Sequence, residues 1–288
     1  MSKTILITGS GSGYGNLIAK ALSEEGHGVI AGMQIIDEKS RKAADDLCSI
    51  PNIEVVAIDL DNERSISESV GRIIHKYGAI DILINDAEVA SFGLLEATSI
   101  AQIRQVLDIG LLSVIRMIQA VLPDMRKNKA GVILNICCGP SLFSAPFLIP
   151  QTLAKMGIMA LSEGLQAELK LEGIDCLAVL IDNCLSGSIN NKLFEADLPE
   201  IAGAYKIESR QVIRKVERSI REPELALEKR QDVAKDIVDL LNMKSGLRPK
   251  QLIVDKKNER TIRELFVRKI ELKNKWAERA GIKLSATT

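Results

Sequence analysis

The chain has 288 residues, 46% of them hydrophobic, enough apolar material for one large globular domain or two small ones. Its 38 Lys/Arg balance 38 Asp/Glu and aromatics make up only 3%, which argues against a nucleic-acid surface, where a basic excess and stacking rings are expected. Five cysteines do not read as a disulfide framework at this length, and two histidines, His27 and His75, leave little room for a metal site or a catalytic triad.

The elements follow in chain order. Lys3 to Thr8 is a buried-strand run, and Gly15 to Glu25 carries apolar residues at helical spacing. Gly28 to Ala31 begins a second strand, Asp37 to Leu47 is a helix, and Ile53 to Ile58 is a third strand. A helix over Glu63 to Tyr77 leads to a fourth strand, Ile80 to Ile84. One long helix, Ile100 to Met125, precedes a strand at Val132 to Ile136. Leu153 to Leu171 is helical and Ile174 to Leu180 is a sixth strand. Continuous apolar strands alternating with helices predict βαβ units, hence an α/β fold with a doubly wound parallel sheet of the Rossmann type. No stretch reaches the roughly 20 apolar residues of a membrane span, and the N-terminal run is too short for a signal peptide; the expected setting is cytoplasmic.

The segment from Ser186 to Lys229 is helical in composition but broken by Pro199, Gly203 and Pro223. It follows the sixth strand, so it is expected at the carboxyl edge of the sheet, preferably as a lid covering a substrate, alternatively as a plain surface excursion. The main unit therefore spans 1–255, followed by a basic helical tail over 256–288. From Asp255 onward ten Lys/Arg face five Asp/Glu, with Ile262, Leu265, Phe266, Ile270 and Trp276 roughly on one side of a helix. Such a helix docks either on its own domain or dimer mate, which is the preferred reading, or on a partner or lipid surface.

Thr8 to Gly15 reads TGSGSGYG between a strand and a helix. Gly9 permits the sharp turn, Gly13 lets backbone approach a pyrophosphate, and Gly15 lets the helix sit close to the sheet. The helix start supplies N–H groups and a positive dipole end. This spacing resembles the short-chain dehydrogenase/reductase family, and the resemblance runs over roughly residues 3 to 255, with Arg248 to Asp255 as a last strand. It implies a cofactor site at Thr8, Gly9, Ser12, Gly13, Tyr14, Gly15, Gln34, Asp59, Leu60, Asn85, Ala87 and Lys155. NAD or NADP is implied, without a preference: Met33-Gln34 offers neither the acid of NAD sites nor the arginine of NADP sites, while Lys39 or Arg41 could serve a 2′-phosphate. It further implies a homodimer or homotetramer, paired through the two long helices, the first presenting Leu107, Leu111, Val114, Ile115, Ile118 and Val121, unless that face packs only on its own sheet. A small-molecule ligand is the expected partner.

The family's chemistry uses a tyrosine as acid/base, a lysine that lowers its pKa, a serine and an asparagine. Carried over by position, the lysine is Lys155, but the tyrosine is replaced by Gln151, the serine by Cys138 and the asparagine by Gly110. A phenol can be tuned toward neutrality by a neighbouring ammonium; a glutamine amide does not titrate there. None of the three tyrosines, Tyr14, Tyr77 and Tyr205, precedes a lysine by four residues, and only Tyr205, in the lid, could reach in. Cys137 and Cys138 read either as small buried hydrophobes or, beside Lys155, as nucleophiles. Glu88 and Asp182 stand where the family has glycines against the cofactor, and each would crowd it and add negative charge. The expectation is a dinucleotide-fold protein that has lost the tyrosine-based hydride transfer and works by binding or sensing; the alternative is an active NAD(P)-dependent oxidoreductase with atypical proton handling.

Overall fold

The computed structural model describes residues 2–35, 37–86, 89–138, 141–181, 193–221, 227–254 and 258–281, with side chains except at 138, 219–221 and 227–230. Glu88, Asp182 and Ala87 lie outside them. The first half alternates β1 (Thr4–Thr8), α1 (Gly13–Glu24), β2 (Gly28–Met33), α2 (Glu38–Cys48), β3 (Ile53–Ala57), α3 (Glu63–Tyr77) and β4 (Ile82–Asn85). Then come β5 (Ala90–Phe92), α4 (Ile100–Leu107), a π-helical turn (Asp108–Leu112), α5 (Ser113–Asn128), β6 (Gly131–Cys138), α6 (Ile149–Glu168) and β7 (Ile174–Ile181). The last part holds β8 (Leu193–Glu195), α7 (Pro199–Ala204), α8 (Ile207–Arg221), α9 (Leu227–Asn242), β9 (Gln251–Ile253) and α10 (Glu259–Arg279).

Seven strands form a parallel sheet in the order β3-β2-β1-β4-β6-β7-β9. Strands β1, β2, β4 and β7 are almost wholly buried because helices cover both faces, as their unbroken apolar runs require. One face packs Ile5, Ile7, Ile84 and Leu134 with Ile18 and Leu22 of α1 and Ile237 and Leu241 of α9. The other packs Leu6, Leu83 and Ile133 with Val70, Ile118, Ile158 and Phe266, from α3, α5, α6 and α10. The expected α/β doubly wound sheet is therefore the observed one.

Three expectations need correction. The long helix is helical from 100 to 128 but passes through a π turn at Asp108–Leu112, where Gly110 lies against α6: a Cβ there would sit 3.0 Å from that of Ala154. By length and composition alone this 29-residue stretch is apolar enough to cross a membrane, a test that the core helix of a folded domain also passes, and it is compatible with the expectation of no span. It instead forms a layer of the fold, with Val114, Met117, Ile118, Val121 and Met125 buried against the sheet. Three of the six apolar residues assigned to pairing, Val114, Ile118 and Val121, are thus spent on its own core, and Leu112, Leu153 and Met156 are the large exposed apolar residues of α6 and of the π turn before α5. Finally, α6 begins four residues before Leu153, because Pro150 fits the first helical turn, where no N–H is needed.

Candidate functional site

The strand order reverses between β1 and β4, so a crevice opens at their carboxyl ends. β1 ends at Thr8 and β4 at Asn85, paired in register. The Thr8 hydroxyl accepts a hydrogen bond from the Asp86 N–H at 3.2 Å, which fastens the two strand ends together. Beyond Thr8 the chain turns with positive φ at Gly9 (74°) and Gly13 (62°), a region that costs glycine nothing. Gly15 has no room for a side chain: a Cβ would lie 2.9 Å from the Gly9 carbonyl oxygen. The glycines therefore bend the chain and seat the start of α1 against the turn.

The first N–H groups of a helix lack intrahelical acceptors and carry its positive dipole end. Here the Gly15 N–H donates to the Asp86 carboxylate at 2.5 Å, and Asp86 is buried. An anion of the protein's own thus takes one of the free N–H groups at the start of α1. Asp86 is not among the residues that the sequence marks out. No local pattern marks it, because its partner lies 71 residues away in the chain.

Gln34 and Asp59, from the ends of β2 and β3, are brought together: the Gln34 amide donates to the Asp59 carboxylate at 3.1 Å. The Leu60 carbonyl accepts from Arg116 at 3.4 Å, and Arg116 pairs with Asp108 at 2.6 Å, tying this corner to the π turn. Ser12 is the extended residue before α1, and Tyr14 is buried on its first turn. Lys39 and Arg41 are exposed on α2.

On the other side of β4 a buried polar ladder fixes α6. The Asn85 side-chain amide donates to the Asn135 Oδ1 at 2.8 Å, the Asn135 side-chain amide nitrogen donates to the Ser162 hydroxyl at 2.9 Å, and Ser162 donates to the Ile158 backbone carbonyl at 2.8 Å. This anchoring sets α6 so that Gln151 and Lys155, one turn apart on one face, are both buried. Gln151 is 1% exposed, and neither its amide nitrogen nor its amide oxygen has a hydrogen-bond partner among the described residues. The neighbouring Thr152 hydroxyl is likewise unpartnered. Leaving such groups dry and unpaired costs about 1–3 kcal/mol each, a cost that water or any polar group reaching this turn would remove. Cys138 ends β6, and Cys137 is fully buried in the core, consistent with a packing role.

The described part of the 186–229 segment packs beside this turn. Ile213 and Val216 of α8 pack with Ala90, Phe92 and Leu148, the residue just before α6. Two short strands the sequence did not reveal, β5 and β8, pair in parallel at its base. The Asp197 carboxylate accepts from the Ser99 N–H at 2.7 Å and its hydroxyl at 2.6 Å, which holds Asp197 below the usual carboxylate range. The Gln102 amide donates to the Glu195 carbonyl at 2.7 Å. Tyr205, the tyrosine that could have reached in, has its hydroxyl donating to Glu96 at 2.5 Å, which raises its pKa. Among the described residues no His/Cys/Asp/Glu group could hold a metal ion.

The profile of the short chain dehydrogenase family matches residues 3–195, about two thirds of the chain. The chain belongs to the short-chain dehydrogenase/reductase family. Relatives include a 3-ketodihydrosphingosine reductase of Bacteroides thetaiotaomicron, 32% identical over 57% of each chain, so the match spans just over half of that protein. A D-beta-hydroxybutyrate dehydrogenase of Rhizobium meliloti is 28% identical over 75% of this chain and 83% of its own. Among solved structures, a short-chain dehydrogenase from Streptomyces avermitilis superposes with TM-score 0.75 at 20% identity, covering 97% of this chain and 98% of that one, a likeness of fold. A gluconate 5-dehydrogenase from Burkholderia cenocepacia, in complex with NADP and tartrate, has TM-score 0.58 at 25% identity, covering 62% and 71% of the two chains. Short-chain dehydrogenase/reductase proteins are NAD(P)-linked oxidoreductases, and the glycine turn and α1 of this chain fit a pyrophosphate in backbone shape. The Asp86 charge is the one feature of the turn that opposes it.

Proposed function

We propose that this short-chain dehydrogenase/reductase protein binds a dinucleotide or a related ligand without performing the tyrosine-based hydride transfer. The observation that carries this reading is Gln151: it stands where the acid/base tyrosine is expected, one turn before Lys155, fully buried and unable to titrate near neutrality. A bound nicotinamide would supply or take up hydride. What the chain lacks at Gln151 is a group to deliver or accept the accompanying proton. Gly13, Tyr14 and Gly15 would hold the pyrophosphate, Gln34 and Asp59 the adenosine end, and Lys155 the second ribose. Gln151 and Thr152 would hydrogen-bond the ligand's polar head rather than exchange protons with it. Asp86 weakens the pyrophosphate contact by like-charge repulsion in a partly dry cleft.

The alternative, an active oxidoreductase of a carbonyl or alcohol with another proton source, is favoured by the retained, buried Lys155 and by the dehydrogenase and reductase names of the relatives. Titrating NADPH and NADH by fluorescence, then adding a carbonyl panel, separates the two. Binding without consumption of the reduced cofactor supports the proposal. Substrate-dependent consumption overturns it in favour of the alternative.

A further inference from the structure

A second cavity, of about 630 Å³, lies between the later turns of α6, the start of β9 and α10. It is within the size range of small-molecule sites, about 300–1,000 Å³. Glu163, on its wall, follows Gln151 by twelve residues of one helix, about 18 Å along the axis, so this cavity is separate from the dinucleotide crevice. Its apolar surface comes from Phe266, Ile270, Leu272 and Trp276. Phe266 is buried as the floor, whereas Ile270, Leu272 and Trp276 are 38%, 70% and 59% exposed, apolar surface that an aqueous monomer gains by covering.

The rim is cationic. Lys250, Lys269, Lys273, Lys275 and Arg279 line the cavity against the single carboxylate of Glu163, which Lys269 already engages at 2.6 Å. Among the described residues none of the other four is ion-paired. Lys250 is held below the usual lysine range by burial first, then by the ammonium groups of Lys170 and Lys273. Lys250 and Lys273 thus repel each other across a half-buried space, a conflict that an anion placed between them removes. A second copy of this chain set there by two-fold symmetry would instead press one cationic rim on another.

We propose that this cavity binds a single-chain anionic amphiphile of the long-chain carboxylate class. The alkyl chain lies along Phe266, Ile270, Leu272 and Trp276, and the head group meets Lys250 and Lys273. The composition of the tail, five more cations than anions with an apolar stripe, is then accounted for by a ligand rather than by self-docking alone.

Trp276 is the sole tryptophan of the chain, so its emission reports this cavity directly. Dodecanoate, below its micelle concentration, is titrated into the full-length protein beside dodecyltrimethylammonium, inorganic phosphate, and vesicles of phosphatidylglycerol. The expected result is a saturable blue shift with dodecanoate, none with the cation or phosphate, and affinity at least about tenfold weaker in Lys250→Ala/Lys273→Ala, which removes both charge-assisted contacts to the head group. No response to dodecanoate overturns the proposal. So does an equal response to the cationic amphiphile, which would mean apolar covering alone, or a response confined to vesicles, which would make α10 a membrane-surface helix. Concentration-dependent dimerisation that alone shifts the emission, read by light scattering on the same samples, overturns it in favour of a second copy.

Discussion

Asp86 puts a buried carboxylate on the N–H of Gly15, inside the glycine turn. Its carboxylate caps the start of α1 through the Gly15 N–H, so it both completes the turn and competes with an anionic ligand. Asp86→Asn keeps an acceptor for that N–H and removes the charge; NADPH affinity, measured by fluorescence titration, is expected to rise roughly tenfold, or ~1.4 kcal/mol. Asp86→Ala leaves the N–H unpaired and should cost about 1–3 kcal/mol of stability in urea unfolding. At Gly110 an asparagine, the residue expected by family resemblance, no longer fits: its Cβ would meet Ala154 at 3.0 Å and Val89 at 3.3 Å. Gly110→Asn is therefore expected to destabilise by about 1–3 kcal/mol, the usual cost of overpacking, and not to restore activity. The thiols separate by burial. Cys176 is pushed up to about 12 by desolvation, while Cys48 is exposed. Iodoacetamide at pH 8, mapped by mass spectrometry, should label Cys48 well before Cys176. Because the folded pKa of Cys176 is raised, its contribution to stability is full below the ordinary thiol value of 9.0 and falls as pH rises toward 12. The turn glycines and the Gln151–Lys155 pair were legible because their meaning lies in short-range spacing. Asp86 was not, because its role arises only when strands far apart in sequence end side by side.

The elements that matter most are α6 and the lid. α6 carries Gln151 and Lys155, and the ladder from Asn85 through Asn135 to Ser162 fixes its position on the sheet. Its start lies at Ile149, ahead of the expected Leu153, because proline at 150 suits the first helical turn. β5 and β8, three residues each, were illegible for another reason: they are too short to show a period, and their pairing depends on the lid folding back. That return is held by Asp197 on Ser99. Its carboxylate is depressed by those hydrogen bonds, so the anchor is full above the ordinary Asp pKa of 3.8 and is lost as pH falls below it. Asp197→Ala should loosen the anchor at neutral pH as well, and limited proteolysis should cut within α7 and α8 faster in the variant than in the parent.

At the scale of the whole molecule, the parallel sheet was readable from its apolar strands, and the reversal between β1 and β4 places the crevice. The helix pair expected at a dimer interface was only partly readable. Sequence cannot say which side of an apolar helix faces its own sheet, and Val114, Ile118 and Val121 turn inward. Association through the outer surface of these helices is therefore expected to use Leu112, Leu153 and Met156, and Leu112→Glu with Met156→Glu should reduce the mass seen by light scattering if copies pair there. What the assembled site does is tested most directly by steady-state consumption of NADPH and NADH by the unmodified protein across a panel of carbonyl substrates. The account predicts no consumption above the protein-free control. Substrate-dependent consumption that disappears in Lys155→Ala would contradict it.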